Sequence, residues 1–246
     1  MAIAELSADD LDPLMEAATL ARDTLADAEA FQEVLERLFQ QSSSLLLRNQ
    51  SATGSVDAAQ GALFAAGQLA DLMQQQGQLR AEVAFLREAV ALPLPSSQTR
   101  ALALRAAQRA VGEVGDNELG VTLFQKALEL APQDTDVMGQ LAAQYDRMGR
   151  LDELLVVRRK ELSLTTSVSR KLELRLDLAR VMGELEKRGG RMATLLDNLR
   201  DSPGHADSLD GLERVLRERG AVGGVFDLFS SQAAQLEETG DTERAA

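Results

Sequence analysis

Carboxylic acids are the side chains of this sequence with the most potential for chemistry, and several occur as adjacent pairs: Asp9-Asp10, Asp152-Glu153 and Glu237-Glu238. Acid–base catalysis needs two carboxyl groups that converge on one substrate from different elements and have separated pKa values. Adjacent residues of a helix point about 100° apart and cannot converge in this way. We therefore interpret these pairs as solvated helix surface.

Nucleophiles and metal ligands are equally scarce. The sequence has no cysteine, which excludes thiolate catalysis, disulfides and thiolate metal sites. Its single histidine, His205, lies in a Ser-Pro-Gly-His turn with no second ligand or nucleophile near it, so an exposed or helix-capping role is expected. We predict that the protein is not an enzyme and has no catalytic residue, metal or cofactor.

Phosphate and nucleic-acid binding are also disfavoured. The glycines at 220, 223 and 224 follow a predicted helix rather than a strand, and no Gly-Lys-Ser/Thr motif occurs. The basic run 158–160 (Arg-Arg-Lys) stands against a net charge of -13, which repels nucleic acid. We expect the run to form ion pairs with Asp152, Glu153 and Glu161.

Composition predicts a folded cytoplasmic protein. The chain has 246 residues, and 45% of them are hydrophobic, enough for a packed core. Its start, MAIAELSADDLD, lacks a basic leader region, and no apolar run approaches the roughly 20 residues that cross a bilayer. Residues 1–60 hold 11 acidic and 3 basic side chains, a net charge of -8. This acidic region is either a solvated surface or a patch that steers a basic partner.

The sequence predicts that helices position any functional residues of the chain. Apolar residues recur at intervals of three and four, and strong helix formers dominate. Glycines and prolines punctuate this pattern, with helix stops expected at Gly54, Gly115 and Gly189-Gly190 among others. The pattern predicts twelve helices at 8–25, 27–47, 57–76, 79–92, 97–114, 117–131, 134–148, 151–164, 168–187, 190–200, 206–219 and 222–238.

The helices repeat in pairs. Gly67-Gln68-Leu69-Ala70 recurs as Gly139-Gln140-Leu141-Ala142, an offset of 72 residues. The same register aligns Gly77 with Gly149, and an offset of 71 aligns Gly149 with Gly220. A unit of this length corresponds to two helical hairpins of about 36 residues each.

One copy has the residue spacing of a known family. Gly120, Phe124, Ala127 and Pro132, preceded by Leu104 and Ala107, resemble the tetratricopeptide repeat (TPR) pattern. The next copy has Arg158 and Glu161 where the pattern expects Phe and Ala, and the family's tryptophan is missing. The resemblance implies an all-α fold, a right-handed α-α superhelix (a TPR-like solenoid) of about six hairpins. Phe124 and Tyr145 would then fill the core, and Arg150 would be exposed.

The domain organisation follows from this register. We assign 1–60 to acidic, degenerate N-terminal hairpins and 61–246 to the repeat array, with the best repeat at 101–134 and the next at 135–166. Gly240-Asp241 resembles Gly115-Asp116, so the C-terminal segment GDTERAA lies where another helix is expected to begin. We expect either a fragment of a longer array or a final capping hairpin that is cut short.

The resemblance also implies a binding surface. In this family the first helices of successive hairpins line a concave groove that binds a partner peptide. Arg105 and Arg109 lie one turn apart and could both point at one carboxylate or at an acidic peptide. By register the groove comprises Arg105, Arg109, Gln140, Ala143, Asp146, Arg147, Glu173, Asp177 and Arg180.

Three functions remain at this stage. The preferred hypothesis is a non-catalytic scaffold or adaptor that binds a partner protein or peptide through the groove or the acidic N-terminus. The alternative is a self-assembling or regulatory module of a larger bacterial repeat protein, for example in a polarity, motility or signalling assembly. A helical-repeat enzyme is disfavoured because no catalytic constellation occurs. The oligomeric state is not predicted.

Overall fold

A computed structural model describes residues 11–25, 28–48, 54–186 and 188–239. Every regular element within these ranges is helical. The α-helices are α1 (Asp12–Leu20), α2 (Ala28–Arg48), α3 (Gly54–Gln75), α4 (Leu79–Val90), α5 (Ser96–Arg109), α6 (Asn117–Leu130), α7 (Thr135–Arg147), α8 (Leu151–Leu164), α9 (Val168–Glu184), α10 (Arg188–Asp201), α11 (Ala206–Glu218) and α12 (Val222–Thr239). Two π-helical segments, Ala21–Leu25 and Ala110–Val114, extend α1 and α5. Each predicted span overlaps one of these helices, whereas Asp9-Asp10 and residues 240–246 lie outside the described ranges.

Three hairpins reverse through the same hydrogen-bonded turn. Gly77, Gly149 and Gly220 follow α3, α7 and α11 with φ of 72°, 67° and 70°, a conformation that favours glycine. The amide after each glycine donates to the carbonyl five residues earlier, which is the Schellman cap. The pairs are Gln78–Met73, Arg150–Tyr145 and Ala221–Leu216, at 2.8, 2.8 and 2.9 Å. The repeat seen in the sequence is therefore also a repeat of backbone hydrogen bonds.

Helix starts are fixed by short polar side chains. Asp116, Asp134 and Ser167 precede α6, α7 and α9, and each accepts a hydrogen bond from the backbone amide three residues later, at 3.0, 3.1 and 3.4 Å. Such N-caps satisfy an amide that has no partner within the helix, and each contributes about 1 kcal/mol.

The turn between α9 and α10 differs from the prediction. Gly189-Gly190 was expected to end the long helix, but α9 ends at Glu184 and Glu186 makes the reversal with φ of 56°. The two glycines lie instead in the first turn of α10. A Cβ on Gly190 would lie 3.0 Å from the sulfur of Met182, so this glycine permits close packing of α10 on α9.

Packing runs along the chain. The contacts form two compact units, one ending at Pro132 and the other beginning at Gln133. In the first unit each helix from α2 to α6 packs on its predecessor, and in the second the same holds from α8 to α12. The all-α fold of consecutive helical hairpins is thereby confirmed. The predicted boundary at residue 60 was drawn from charge and from the quality of the repeat match, and it stays a prediction. Residue 60 lies within α3, which packs on α2.

Both units bury their apolar residues between neighbouring helices. A cluster around Phe31, Leu35 and Leu38 joins α2 to α3, and another around Leu195, Leu199 and Leu212 joins α9, α10 and α11. Small residues allow the helices to approach. Phe124 is 2% exposed, and Tyr145 is buried, as the resemblance implied. Arg150 is not fully exposed, because its guanidinium lies 4.9 Å from the centre of the Tyr145 ring and pairs with Glu153 at 2.7 Å.

We expect Phe124→Ala to lower the free energy of unfolding by about 3–5 kcal/mol, because it leaves a cavity where a large side chain of α6 is almost completely buried. Urea titration followed by circular dichroism measures this loss. Val156→Ala on the exposed side of α8 is the control and should change stability by at most about 0.5 kcal/mol. Equal losses for the two variants would contradict the packing described here.

Glycines within the helices give a second, more local test. A Cβ on Gly120 would overlap the Cγ2 methyl of Val111, and this short branched side chain has little room to move. We expect Gly120→Ala to destabilise the protein by about 1–3 kcal/mol. Gly67, in α3, has no atom within 4 Å of the corresponding position, so Gly67→Ala should be neutral or stabilise by up to about 1 kcal/mol. Thermal melts of the two variants should therefore shift in opposite directions or by clearly different amounts.

Candidate functional site

Arg105 and Arg109 of α5 do point at one carboxylate, and it belongs to the chain itself. Glu82 of α4 is 0% exposed, and Arg105 donates to its Oε1 from Nε and Nη2 at 3.0 and 2.8 Å. Arg109 Nε lies 3.8 Å from Oε2 of the same carboxylate. On their outer sides, Arg105 also pairs with Asp71 at 2.7 Å and Arg109 with Glu113 at 2.6 Å. These two arginines therefore join α4 to α5.

The two arginines have a structural role because a buried carboxylate is stable only when paired. The hydrogen bond with Glu113 raises the pKa of Arg109, and the nearby charge of Glu82 adds to the effect. The guanidinium of Arg109 is thus held as a cation beside Glu82. Binding of a partner by Arg105 and Arg109 stays a prediction. A partner would have to bind guanidinium groups that already pair with carboxylates of the chain.

In the second unit, charged residues of α7, α8 and α9 form one continuous chain of ion pairs, here called the ion-pair ladder. It consists of Glu173, Arg170, Glu161, Arg158, Asp177, Arg180, Asp146 and Glu184. Arg170 and Arg158 both bind Glu161 at 2.6 Å, and Arg158 and Arg180 both bind Asp177, at 2.8 and 2.7 Å. The ladder alternates three arginines with five carboxylates.

The interior of the ladder is shielded from water. The side chain of Glu161 is 3% exposed and that of Arg158 is 15% exposed, whereas Arg180 at the outer end is 44% exposed. Desolvation lowers the pKa of Arg180, but hydrogen bonds to Asp177, Asp146 and Glu184 outweigh it and raise the pKa overall. Hydrogen bonds to Glu161 and Glu173 likewise raise the pKa of Arg170. Arg170 and Arg180 therefore stay charged at any physiological pH.

A cleft opens beside the inner end of the ladder, and we call it the α7–α9 cleft. It has a volume of about 690 Å³. Residues of α7, the end of α8 and the turn into α9 line it, among them Thr135, Gln140, Ala143, Glu161, Thr166 and Arg170. Hydroxyl, amide and guanidinium groups thus share the cleft with small side chains. Such a surface can donate to and accept from a polypeptide backbone.

A second cleft lies between α9, α10 and α11. Its volume is about 550 Å³, and Arg180, Asp207, Asp210 and Arg214 are on its walls. The first helices of three consecutive hairpins, α7, α9 and α11, therefore line open, polar concavities within the second unit.

The structure distributes the predicted groove residues as follows. Gln140 and Ala143 line the α7–α9 cleft. Asp146, Glu173, Asp177 and Arg180 belong to the ladder. Arg147 is exposed and has no ion-pair partner among the described residues. None of these placements tests partner binding, so the groove stays a prediction.

Sequence reasoning did not assign Glu82, Arg158, Glu161 and Arg170 to a site. Of the basic run, Arg158 pairs with Glu161 as expected but not with Asp152 or Glu153; its other partner is Asp177 of α9. A signal was available, because Arg158 and Glu161 replace the Phe and Ala of the repeat pattern. A charged pair at two core positions of a repeat indicates a buried ion pair.

His205 precedes α11, as predicted for a residue at a turn. Its Nδ1 lies 2.9 Å from Oγ of Ser208, and Ser208 also receives a hydrogen bond from Asn198 at 2.9 Å. Within the described ranges, no group of three or more His, Asp or Glu residues is arranged to hold a metal ion. Among the helices described, none is long and apolar enough to cross a membrane.

Comparisons with known proteins give likeness of fold only. No protein-family model matches the sequence, and no curated protein matches it. Among solved structures, one of MamA covers 72% of this chain and 92% of its own at 16% identity with a TM-score of 0.49. The structure of YrrB, described as a TPR protein with an unusual peptide-binding site, covers 74% of this chain and 88% of its own. Its sequence identity is 15% and its TM-score is 0.47. The structure of BtubC from P. vanneervenii covers 84% of this chain and 92% of its own, with 12% sequence identity and a TM-score of 0.43.

The fold is TPR-like. Consecutive helical hairpins of about 36 residues and the recurring Schellman turns carry this assignment. So does the Gly120–Phe124–Ala127 core of α6, in which all three residues are buried. The TPR-like hairpin 135–164 departs from the pattern at Arg158 and Glu161, two residues of the ladder.

We expect Glu82→Gln to destabilise the protein by about 3 kcal/mol, because it leaves the guanidiniums of Arg105 and Arg109 against a neutral amide in a buried site. Glu113→Gln is the matched control, since it removes an exposed partner of the same Arg109 and should change stability by at most about 1 kcal/mol. Urea denaturation of both variants at neutral pH gives the comparison. A control as damaging as Glu82→Gln would disprove the assigned role of the buried carboxylate.

Proposed function

We propose that this chain is a non-catalytic protein-interaction scaffold that binds a peptide segment of a partner on the first-helix surface of its second unit. The observation that carries the proposal is the α7–α9 cleft, whose walls include the predicted groove residues Gln140 and Ala143. Its volume of about 690 Å³ lies within the range of sites that hold a ligand of several hundred daltons.

The chemistry of the cleft favours a peptide over a small metabolite. Threonine and serine hydroxyls, the Gln140 amide and the guanidinium of Arg170 offer dispersed donors and acceptors around an open depression. An extended peptide presents amide and carbonyl groups at regular spacing, and its side chains can enter the space above Gly139 and Ala143. The resemblance to TPR proteins independently implies peptide binding by first helices.

A binding role is further supported by the state of the charged groups. The ladder carboxylates near the cleft are neutralised by arginines, and Glu161 receives two of them. Both carboxylate oxygens of Glu161 are thus occupied by guanidinium groups and are not free to act on a substrate. The cytoplasmic location and the exclusion of nucleic acid remain predictions from composition.

The test should leave Arg105 and Arg109 unchanged. Reversing their charge would remove the partners of the buried Glu82 carboxylate and destabilise the protein. A phage-displayed library of peptides selected on the purified chain is the starting point. We expect selected peptides to bind wild-type protein in fluorescence anisotropy and to lose at least about tenfold in affinity, or about 1.4 kcal/mol, on Ala143→Trp, which fills the cleft.

Val156→Trp is the control, because Val156 is 66% exposed on α8 and is not on the cleft wall. Its affinity should match that of wild-type protein, and both variants should keep the wild-type melting curve. Selection that yields no specific peptide, or peptides that bind Ala143→Trp as well as the wild type, would refute binding at this cleft.

A further inference from the structure

The walls of the two clefts in the second unit carry carboxylates that the chain does not pair. We call the second of these clefts, between α9, α10 and α11, the α9–α11 cleft. Asp136 lies on the wall of the α7–α9 cleft, and Asp207 and Asp210 lie on the wall of the α9–α11 cleft. All three side chains are exposed, and none has a hydrogen-bond or ion-pair partner among the described residues. These carboxylates are therefore available to a ligand.

The arginines of the same clefts are mostly occupied. In the α7–α9 cleft, Arg158 and Arg170 each bind two carboxylates of the ladder, at 2.6 and 2.8 Å. In the α9–α11 cleft, Arg180 binds three carboxylates, and Arg191 binds Glu218 at 3.1 Å. The cations of the two walls are thus largely neutralised within the chain, whereas part of the negative charge is not.

Arg214 is the one cationic wall residue of these clefts that has no ion-pair partner among the described residues. It lies one turn beyond Asp210 on the same face of α11. Three available carboxylates against this one guanidinium leave an excess of negative charge on the walls. The whole chain carries a net charge of -13, so a cationic segment is also attracted from a distance.

The repeat register places two of these carboxylates at equivalent positions. The offset of 71 residues that aligns Gly149 with Gly220 also aligns Asp136 with Asp207. Each aspartate is the second residue of its helix, α7 or α11, and each lines a cleft. The two clefts therefore present a carboxylate from the same position of two first helices, and a partner that crosses both would meet the same charge twice.

The two clefts are neighbours on one surface of the second unit. Glu161 and Arg170 of the ladder lie on the wall of the first cleft, and Arg180 of the ladder lies on the wall of the second. Arg180 also binds Asp146 at 2.9 Å, which joins α9 to α7. Neighbouring helices lie about 10 Å apart, so the two steps from α7 to α9 and on to α11 cover roughly 20 Å. An extended peptide of 12 residues is about 40 Å long and can reach both clefts.

We propose that the partner segment is basic, with lysine or arginine side chains that pair with Asp136 in the α7–α9 cleft and with Asp207 and Asp210 in the α9–α11 cleft. This pairing rests on the proposed function, since it gives the chemistry of the peptide bound there. Ion pairs in an open cleft are individually weak, so the three together discriminate a basic segment from a neutral or acidic one.

The probe is a phage-displayed library of 12-residue peptides of unbiased composition, selected on the intact chain. We expect the selected peptides to contain more Lys and Arg than Asp and Glu, unlike the unselected library. In fluorescence anisotropy they should bind Asp136→Asn/Asp207→Asn/Asp210→Asn about tenfold more weakly than the wild type. Added salt should weaken binding to the wild type more than binding to this triple variant, because salt screens ion pairs.

The matched control is Asp57→Asn/Glu118→Gln/Asp152→Asn, which removes the same number of negative charges. Its three residues are exposed, lie in the first turns of α3, α6 and α8, and are not on the wall of either cleft. The control should bind the selected peptides within about twofold of the wild-type affinity, because distant exposed charges are screened. Both triple variants should keep the wild-type circular dichroism spectrum, since all six side chains are exposed.

Selected peptides that are neutral or acidic, or that bind the cleft variant as tightly as the wild type, would overturn the basic character of the partner. If such peptides still lose affinity on Ala143→Trp, binding at the α7–α9 cleft stands and only the charge assignment fails. An equal loss on the control variant would also overturn the pairing, because overall charge would then account for the binding. A selection that yields no specific peptide would refute both the cleft as a binding site and the basic partner.

Discussion

Burial of apolar side chains between helices adjacent in the chain is the interaction on which this structure depends. No single hairpin of this length hides enough apolar surface to fold alone, because isolated helices of 12–20 residues are marginal in water. Stability is therefore close to a sum of contacts between neighbours. The Schellman turns at Gly77, Gly149 and Gly220 set the direction in which each second helix returns. Core residues such as Phe124 then meet their neighbours without long-range pairing.

Given this scaffold, charged residues can vary between copies without changing the fold. The 72-residue register aligns Arg105 with Asp177 and Glu82 with Leu154. In the first unit the cation lies on the first helix and its buried carboxylate on the preceding second helix. In the second unit the polarity is reversed, since Asp177 of the first helix accepts from Arg158 of the preceding second helix. Helix packing is thus repeated between the copies, whereas the helix that carries the cation of the ion pair is not the same.

Sequence alone predicted the helices and most of their boundaries because hydrophobic spacing and glycine turns are local signals. It also placed Phe124 and Tyr145 in the core. The reversal at Glu186 was missed, since a non-glycine residue with positive φ leaves no clear mark in a sequence. Ion-pair partners were only partly predictable. Arg105 and Arg109 were expected to point at one carboxylate or an acidic peptide of a partner. Nothing local identified Glu82 of the chain itself, which lies 23 residues before Arg105 and meets it only after α4 and α5 pack.

The same reasoning separates residues that hold the fold from residues that remain available to a partner. Arg105, Arg109 and Arg158 are engaged by buried or shielded carboxylates, so a partner would compete with an interaction that stabilises the chain. Ala143, half-buried on the cleft wall, and Phe226, exposed on α12, take no part in such ion pairs. Recognition is therefore better sought at positions where a repeat exposes small, polar or aromatic side chains than at the positions with the most charge.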